Sequence, residues 1–192
     1  MSVLATDNFN RANNTSLGAN WSSVVSMVSG CQILSNAATS NSSSGSGSRY
    51  TGTTFPADQY SQATISVALS GGGPTVRADS SGNFYLFTID TIGSPGTYLM
   101  LKYTGSFSTL DSGSVTTAVG SVVRLEVSGT TLTGKVNGVT ISTVSDSAIA
   151  SGNPGIHIYF FNPAMSLDDW EGGDLVSAPT GRQNFMTLLG VS

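Results

Sequence analysis

The stretch from Ser121 to Asp146 constrains the fold of this chain more than any other. It contains three runs of alternating apolar and polar residues, separated by Ser128-Gly129 and by Asn137-Gly138. Alternation with a period of two is typical of strands that bury one face. Asn-Gly is the preferred pair for a type I′ hairpin, because both central residues of that turn need positive φ. The stretch therefore predicts a three-stranded antiparallel meander whose apolar face packs against another sheet.

The rest of the sequence continues with short alternating runs that end in turn residues. We count about thirteen such runs along the chain, a spacing typical of all-β sandwiches. The segment 36–48, NAATSNSSSGSGS, is low in complexity, and we expect it to form a flexible, solvated loop. The predicted fold class is all-β, with two packed antiparallel sheets.

A chain of 192 residues fits one domain with a short appended arm. We place the sandwich at 1–176 and the arm at 177–192. The arm contains an apolar cluster of Phe185, Met186, Leu188 and Leu189. Such a segment either folds back on its own domain or docks on a neighbouring subunit, and the sequence leaves both alternatives open.

The composition excludes some classes of partner. Charged residues make up 9% of the chain, against about 25% in an average protein. The net charge is −4 and the seven Lys and Arg residues are scattered, so we expect no nucleic-acid partner. No apolar run reaches the roughly 18 residues needed to span a bilayer, so we expect no membrane partner. Cys31 is the single cysteine and is expected to be a buried apolar group rather than a nucleophile.

The same composition bears on localisation. A surface poor in charge and rich in Ser, Thr, Gly and Asn is typical of proteins that work outside the cytoplasm or inside a large assembly. The first residues, MSVLATDNFNR, lack the basic and apolar regions of a secretion signal. We therefore expect a virion or extracellular protein; a signal that has been removed explains the composition equally well.

Three segments together carry a resemblance to a known superfamily. They are Asp7-x-Phe9-x-Arg11 with Leu17-Gly18-x-x-Trp21; the strand 123–126 with its hairpin; and Gly152-x-Pro154-Gly155-Ile156 followed by Leu167-Asp168-Asp169-Trp170. The pattern resembles the concanavalin A-like (laminin-G-like) jelly rolls of lectins and glucanases, including modules of phages and bacterial surface proteins. The resemblance implies a jelly-roll sandwich in which the first and last strands pair. We expect Trp21 and Trp170 to pack at this junction, with sugar stacking as the alternative role of the two rings. We expect Arg11 to pair with Asp168 or Asp169.

Glycoside hydrolysis needs two carboxylates that flank the scissile bond. Glucanases with the resembled fold carry acidic residues that alternate along one inner strand. This chain has two glutamates, Glu126 and Glu171, and neither lies in such a run. We therefore expect no catalytic residues and no enzymatic activity.

Metal and cofactor sites are weakly indicated. Calcium prefers six to eight oxygen ligands, several of them carboxylates. The weak candidates are Asp168, Asp169 and Asp174, but alternation sends the first two to opposite faces of a strand. His157 is the single histidine and cannot make a zinc site by itself. We expect no cofactor.

Glycan binding is the remaining possibility for a site. Jelly rolls can dock sugars on one sheet through aromatic faces and polar side chains. The candidate lining residues are Arg77, Tyr85, Asp90, Tyr98 and Tyr103.

Two functional hypotheses follow from the sequence. The first is a non-enzymatic structural protein of a phage-like virion, a capsid decoration or tail component, which assembles with other subunits or with itself partly through 177–192. The second is a carbohydrate-binding or adhesion module, cell-surface or secreted; a glucanase-like hydrolase is the third and least favoured.

Overall fold

The computed structural model describes residues 1–27, 29–67, 71–91, 93–159 and 165–175. These residues form strands, turns and bends. They contain no helix, and therefore no helix that is long and apolar enough to span a bilayer. The strands are, in chain order, β1 (Ser2–Asp7), β2 (Trp21–Ser23), β3 (Gln32–Leu34), β4 (Ala37–Thr39), β5 (Ser46–Tyr50), β6 (Gln59–Val67), β7 (Gly72–Ala78), β8 (Phe84–Thr91), β9 (Gly93–Tyr103), β10 (Phe107–Thr117), β11 (Val122–Ser128), β12 (Thr131–Val136), β13 (Val139–Ser145), β14 (Asn153–Ile158) and β15 (Ser166–Asp174).

The strands form two antiparallel sheets that pack as a sandwich. One sheet has eight strands in the order β13-β12-β11-β6-β15-β4-β3, with β1 paired to β15. The other has seven strands in the order β10-β9-β8-β7-β14-β5-β2. The predicted all-β sandwich is confirmed. The predicted arm at 177–192, with Phe185, Met186, Leu188 and Leu189, lies outside the described residues, so the boundary at 176 stays a prediction.

The main core lies between the two sheets. Val123, Leu125 and Val127 of β11 are completely buried, whereas Arg124 and Glu126 on the opposite face are only partly buried. Asn137 has a φ of 51° and Gly138 a φ of 79°. Both turn residues therefore adopt the left-handed conformation that a type I′ turn requires. The meander β11-β12-β13 predicted from the sequence is confirmed.

The first and last described strands pair as the resemblance implied. Strand β1 runs antiparallel to β15, with Ser2 opposite Asp174 and Asp7 opposite Trp170. This pairing brings the opening motif against the closing one and forms the junction where both tryptophans lie.

The low-complexity segment 36–48 is not the solvated loop that we expected. It contains all of β4 and the start of β5, and Ser40, Ser46 and Ser48 are at most 2% exposed. The hydroxyl of Ser46 lies 2.9 Å from that of Ser29 and 3.0 Å from that of Ser40, and it accepts the amide N–H of Asn41. The prediction failed because small hydroxyl side chains can be buried when they satisfy one another's hydrogen bonds.

Candidate functional site

The outer face of the seven-stranded sheet carries an apolar layer of its own. Along β8, Tyr85, Phe87 and Ile89 point into the main core, so Phe84, Leu86 and Thr88 point to the outer face. Phe84 and Leu86 join a second buried cluster, whose other members are Val24, Ala78 and Leu101. A sheet face that turns away from the core is usually polar, so this second layer is the most distinctive surface of the sandwich.

Three aromatic rings form the outermost part of this layer. Phe107, 40% exposed, lies beside the half-buried rings of Tyr103 and Tyr159. Its ring centroid is 4.9 Å from that of Tyr103 and 5.6 Å from that of Tyr159. We call these three residues the aromatic patch. Phe84 lies beneath it and stacks on Tyr103 with an interplanar angle of 6°.

A carboxylate lies near Tyr159, one of the three residues of the aromatic patch. Asp90 is exposed at the end of β8, and the hydroxyl of Thr97 points at it over 3.5 Å. Burial raises the pKa of the Tyr159 phenol, and the negative charge of Asp90 raises it further. Asp90 therefore offers an anionic hydrogen-bond acceptor on the Tyr159 side of the patch, whereas Tyr103 pairs with Phe84, six residues before Asp90 along β8.

His157 supports the patch from below. Its ring is 1% exposed and lies 4.4 Å from the ring of Tyr159, and its Nε2 lies 3.2 Å from the sulfur of Met27. Within the described part of the chain its Nδ1 has no hydrogen-bond partner. Burial lowers the pKa of His157 to about 3, so the ring is neutral at physiological pH.

Three of the five predicted glycan-binding residues lie inside the sandwich. Arg77 is 3% exposed, and its guanidinium donates to the carbonyl oxygens of Ala57, Gly129 and Ile149. Tyr85 donates its hydroxyl to Asp146 and Tyr98 donates its hydroxyl to Asp111. The five residues therefore do not form one surface. Tyr103 and Asp90 lie at the outer face of the seven-stranded sheet, whereas the other three make hydrogen bonds within the sandwich.

The sequence reasoning missed Phe107 and Tyr159. Phe107 pairs directly with Tyr103 across the β9–β10 turn, and residues opposite each other in an antiparallel pair share a face. Tyr159 lies two residues after His157 and therefore follows it on the same face. Both signals were present in the sequence, but nothing in it marked this face as the apolar one.

The opening motif forms a hydrogen-bonded junction around Asp7. The Asp7 carboxylate accepts two hydrogen bonds from Arg11, at 2.7 and 2.9 Å, and one from the indole of Trp21, at 2.8 Å. Arg11 also donates to the carbonyl of Leu17. The expected pairing of Arg11 with Asp168 or Asp169 is wrong: Asp7, four residues earlier in the chain, accepts both terminal nitrogens of the guanidinium in a bidentate geometry.

Both tryptophans pack at this junction. Trp170 is 1% exposed and donates its indole N–H to Ser61, and its ring centroid lies 4.7 Å from that of Trp21. Two open clefts of about 440 and 340 Å³ flank the junction and share Thr6 and Asp7. Because the Asp7 carboxylate is already engaged by Arg11 and Trp21, we assign this region to structure.

The calcium candidates do not converge. Asp174 accepts the amide N–H of Ser2, and Asp168 accepts that of Asp169. Asp169 has a φ of 46° in an irregular part of β15. In the described residues no three His, Cys, Asp or Glu side chains come together as metal ligands would.

The two glutamates serve structural contacts on the eight-stranded sheet. Glu126 accepts hydrogen bonds from Arg124 and Lys135, at 2.7 and 2.8 Å. Glu171 accepts the hydroxyl of Tyr60. Neither glutamate lies on the face that carries the aromatic patch.

Comparisons with solved structures identify the fold. The carbohydrate-binding module CBM66 from Bacillus subtilis superposes with a TM-score of 0.61 at 15% identity, covering 81% of this chain and 92% of the module. A β-1,3-1,4-glucanase (lichenase) from a mouse hindgut metagenome has a TM-score of 0.59 at 8% identity, covering 90% and 99%. A protein of unknown function with a galectin-like fold from Bacillus subtilis has a TM-score of 0.59 at 13% identity, covering 91% and 96%.

These similarities show that the chain has the concanavalin A-like jelly-roll fold that the sequence suggested. At such low identity they show the fold alone. No family model matches the sequence, and the search of curated proteins found no match.

Proposed function

We propose that this chain, a concanavalin A-like jelly roll, is a non-catalytic glycan-binding module that works outside the cell or on a virion. The aromatic patch of Tyr103, Phe107 and Tyr159, with Asp90 on the Tyr159 side of it, carries the proposal. The chain shares its fold with a carbohydrate-binding module, which supports the same class of function.

The chemistry of the patch suits a sugar ring. One face of a pyranose presents C–H groups that can stack on an aromatic ring, while its hydroxyls need hydrogen-bond partners. Phe107 offers the most exposed ring, with Tyr103 and Tyr159 at its sides. Asp90 offers a carboxylate that can accept hydrogen bonds from sugar hydroxyls. The stack of Phe84 and His157 beneath holds these rings in place before a ligand arrives.

The distribution of carboxylates supports a binding role rather than hydrolysis. A glycoside hydrolase needs two carboxyl groups about 5 to 10 Å apart across the scissile bond. Among the described residues, Glu126 and Glu171 lie on the eight-stranded sheet and are held by Arg124, Lys135 and Tyr60.

A glycan array followed by titration calorimetry tests this function. We expect saturable binding of at least one glycan, weakened about tenfold or more by Phe107→Ala, because one well-packed aromatic contact can contribute over 1 kcal/mol. Asp90→Asn should weaken binding as well. Val119→Ala is the matched control, since Val119 is 60% exposed outside the patch. An array without any hit, or equal loss in Phe107→Ala and the control, would refute the proposal.

Assembly into a virion stays a hypothesis from the sequence. It is favoured by the share of charged residues, 9%, and by the apolar residues at 185–189, which lie outside the described part of the chain. Light scattering on the full chain and on residues 1–176 tests it. A monomer in both cases would reject the arm as an assembly element, whereas an oligomer that dissociates on truncation would support it.

A further inference from the structure

Among the described residues, strand β1 forms an open, apolar edge of the eight-stranded sheet. In the described residues it pairs with β15 on one side and with no strand on the other. Val3 is 53% exposed and Leu4 is 39% exposed. Exposed edge strands are usually protected by charge, proline or a covering segment, because they can pair with other chains. The residues 2–6, SVLAT, contain neither a charge nor a proline.

The chain itself supplies a matching segment. Residues 185–189, FMTLL, are uncharged and carry four large apolar side chains. They lie outside the described residues. Neither this segment nor the open edge would have to bury a charge on contact, so the desolvation cost of joining them is small.

The geometry of β15 brings this segment within reach. Asp174 lies directly opposite Ser2, and the Asp174 carboxylate accepts the Ser2 amide N–H over 2.8 Å. The chain therefore leaves the described region, at 175, beside the first residue of β1. The nine residues 176–184 can span roughly 30 Å when extended, which exceeds the length of a six-residue strand of about 20 Å.

We propose that residues 185–189 dock on the open edge of β1 in the same molecule, covering Val3 and Leu4. A tether of nine residues gives the segment an effective concentration in the millimolar range at this edge, so a weak contact suffices within one molecule. Pro179 and Gly181 in the tether are residues that favour a reversal of chain direction. By covering β1, the segment keeps this edge strand from pairing with other copies of the chain.

A double-mutant cycle in the full chain tests this docking. The variants are Val3→Asp, Phe185→Asp and the double variant, each followed by thermal unfolding. We expect Val3→Asp to lower the Tm by about 2 to 4 °C in the otherwise native chain. In the Phe185→Asp background the same change should have little further effect, because the contact is already lost.

Val139→Asp is the matched control for the cycle. Val139 is 62% exposed on β13 and belongs to a different edge of the sheet. Val139→Asp should change the Tm by the same amount in the native background and in the Phe185→Asp background. Equal effects of Val3→Asp in both backgrounds would overturn the proposal.

Amide hydrogen exchange distinguishes docking within a molecule from docking between copies. We expect the β1 amides that do not bond β15 to exchange on the order of tenfold faster in Phe185→Asp than in the native chain. That protection should not change when the protein is diluted. Protection that disappears on dilution, together with a dimer in light scattering, would place the segment on a second copy and overturn the proposal. Unchanged exchange in Phe185→Asp would overturn it as well.

Discussion

The indole N–H of Trp21 donates to the carboxylate of Asp7 over 2.8 Å, fourteen residues back along the chain. The same carboxylate accepts the amide N–H of Phe9 and both terminal nitrogens of Arg11. Asp7 thus joins the first strand, the loop that follows it and the tryptophan pair at the centre of the junction. The acid, the base and the tryptophan of the opening motif are therefore parts of one hydrogen-bonded unit.

Replacing Asp7 with Asn should destabilise the fold by about 2 kcal/mol, because it removes the charge from hydrogen bonds that Arg11 and Trp21 donate. Arg11 is partly exposed, which limits the contribution of the ion pair. Urea unfolding at neutral pH measures the change. Asp169→Asn, at an exposed position of β15, is the control and should leave the midpoint almost unchanged.

The same carboxylate predicts a loss of stability in acid. Burial pushes the pKa of Asp7 upward, but the hydrogen bonds from Arg11, the Phe9 amide and Trp21 outweigh burial and hold that pKa below its ordinary value. A folded-state pKa below the unfolded one gives stability that is present above about pH 4 and is lost as the pH falls through the lowered pKa. The free energy of unfolding of Asp7→Asn should fall less steeply below pH 4 than that of the native chain.

His157 predicts a second pH dependence in a separate window. Burial lowers its pKa to about 3, whereas an unfolded histidine titrates near 6.5. Between these values the unfolded chain binds a proton that the folded chain does not, so stability decreases as the pH falls from about 6.5 toward 3. In this window the free energy of unfolding changes by up to about 1.4 kcal/mol per pH unit. His157→Phe, which keeps an aromatic ring beside Tyr159, should remove this slope between pH 6.5 and 4.5; an unaltered slope would contradict the assignment.

Ser46→Ala should cost about 2 kcal/mol or more in spite of its small change in volume. The variant removes the oxygen that the Ser29 and Ser40 hydroxyls and the Asn41 amide contact. The Ser40 hydroxyl still donates to the Ser42 carbonyl, but the Asn41 amide loses its acceptor, and a polar group without a partner carries its desolvation penalty. Ser43→Ala, at an exposed position of the same segment, should have almost no effect. Equal midpoints for the two variants in urea would contradict a structural role for the serine cluster.

Gly155→Ala should destabilise the sandwich by about 3 kcal/mol or more, since overpacking against backbone cannot relax cheaply. A Cβ at Gly155 would lie 2.2 Å from the carbonyl oxygen of Ser48 on the neighbouring strand β5. Gly129→Asn is the contrasting variant, because Gly129 has a φ of 56° with open space around it and Asn tolerates that conformation. Circular dichroism during heating should show an early transition for Gly155→Ala alone.

The sequence could predict those parts of the fold that depend on neighbours along the chain. The alternation of Val123, Leu125 and Val127 with Arg124 and Glu126 identified β11, and Asn137-Gly138 identified its hairpin. Both signals depend only on residues that are close together in the sequence, so they can be recognised without knowledge of the fold. The serine-rich segment was misjudged because burial of Ser46 depends on hydroxyl partners up to seventeen residues away.

The candidate site could be predicted from the sequence only in part. By itself the sequence determined that Tyr85 and Phe84 point to opposite faces of one strand, because the side-chain period of a strand is two. It did not determine which face meets the other sheet. Only the tertiary structure decided that Tyr85 enters the main core and that Phe84, Tyr103, Phe107 and Tyr159 gather on the outer face, since burial is set by the strands and sheets that pack nearby and not by the order of residues within a strand.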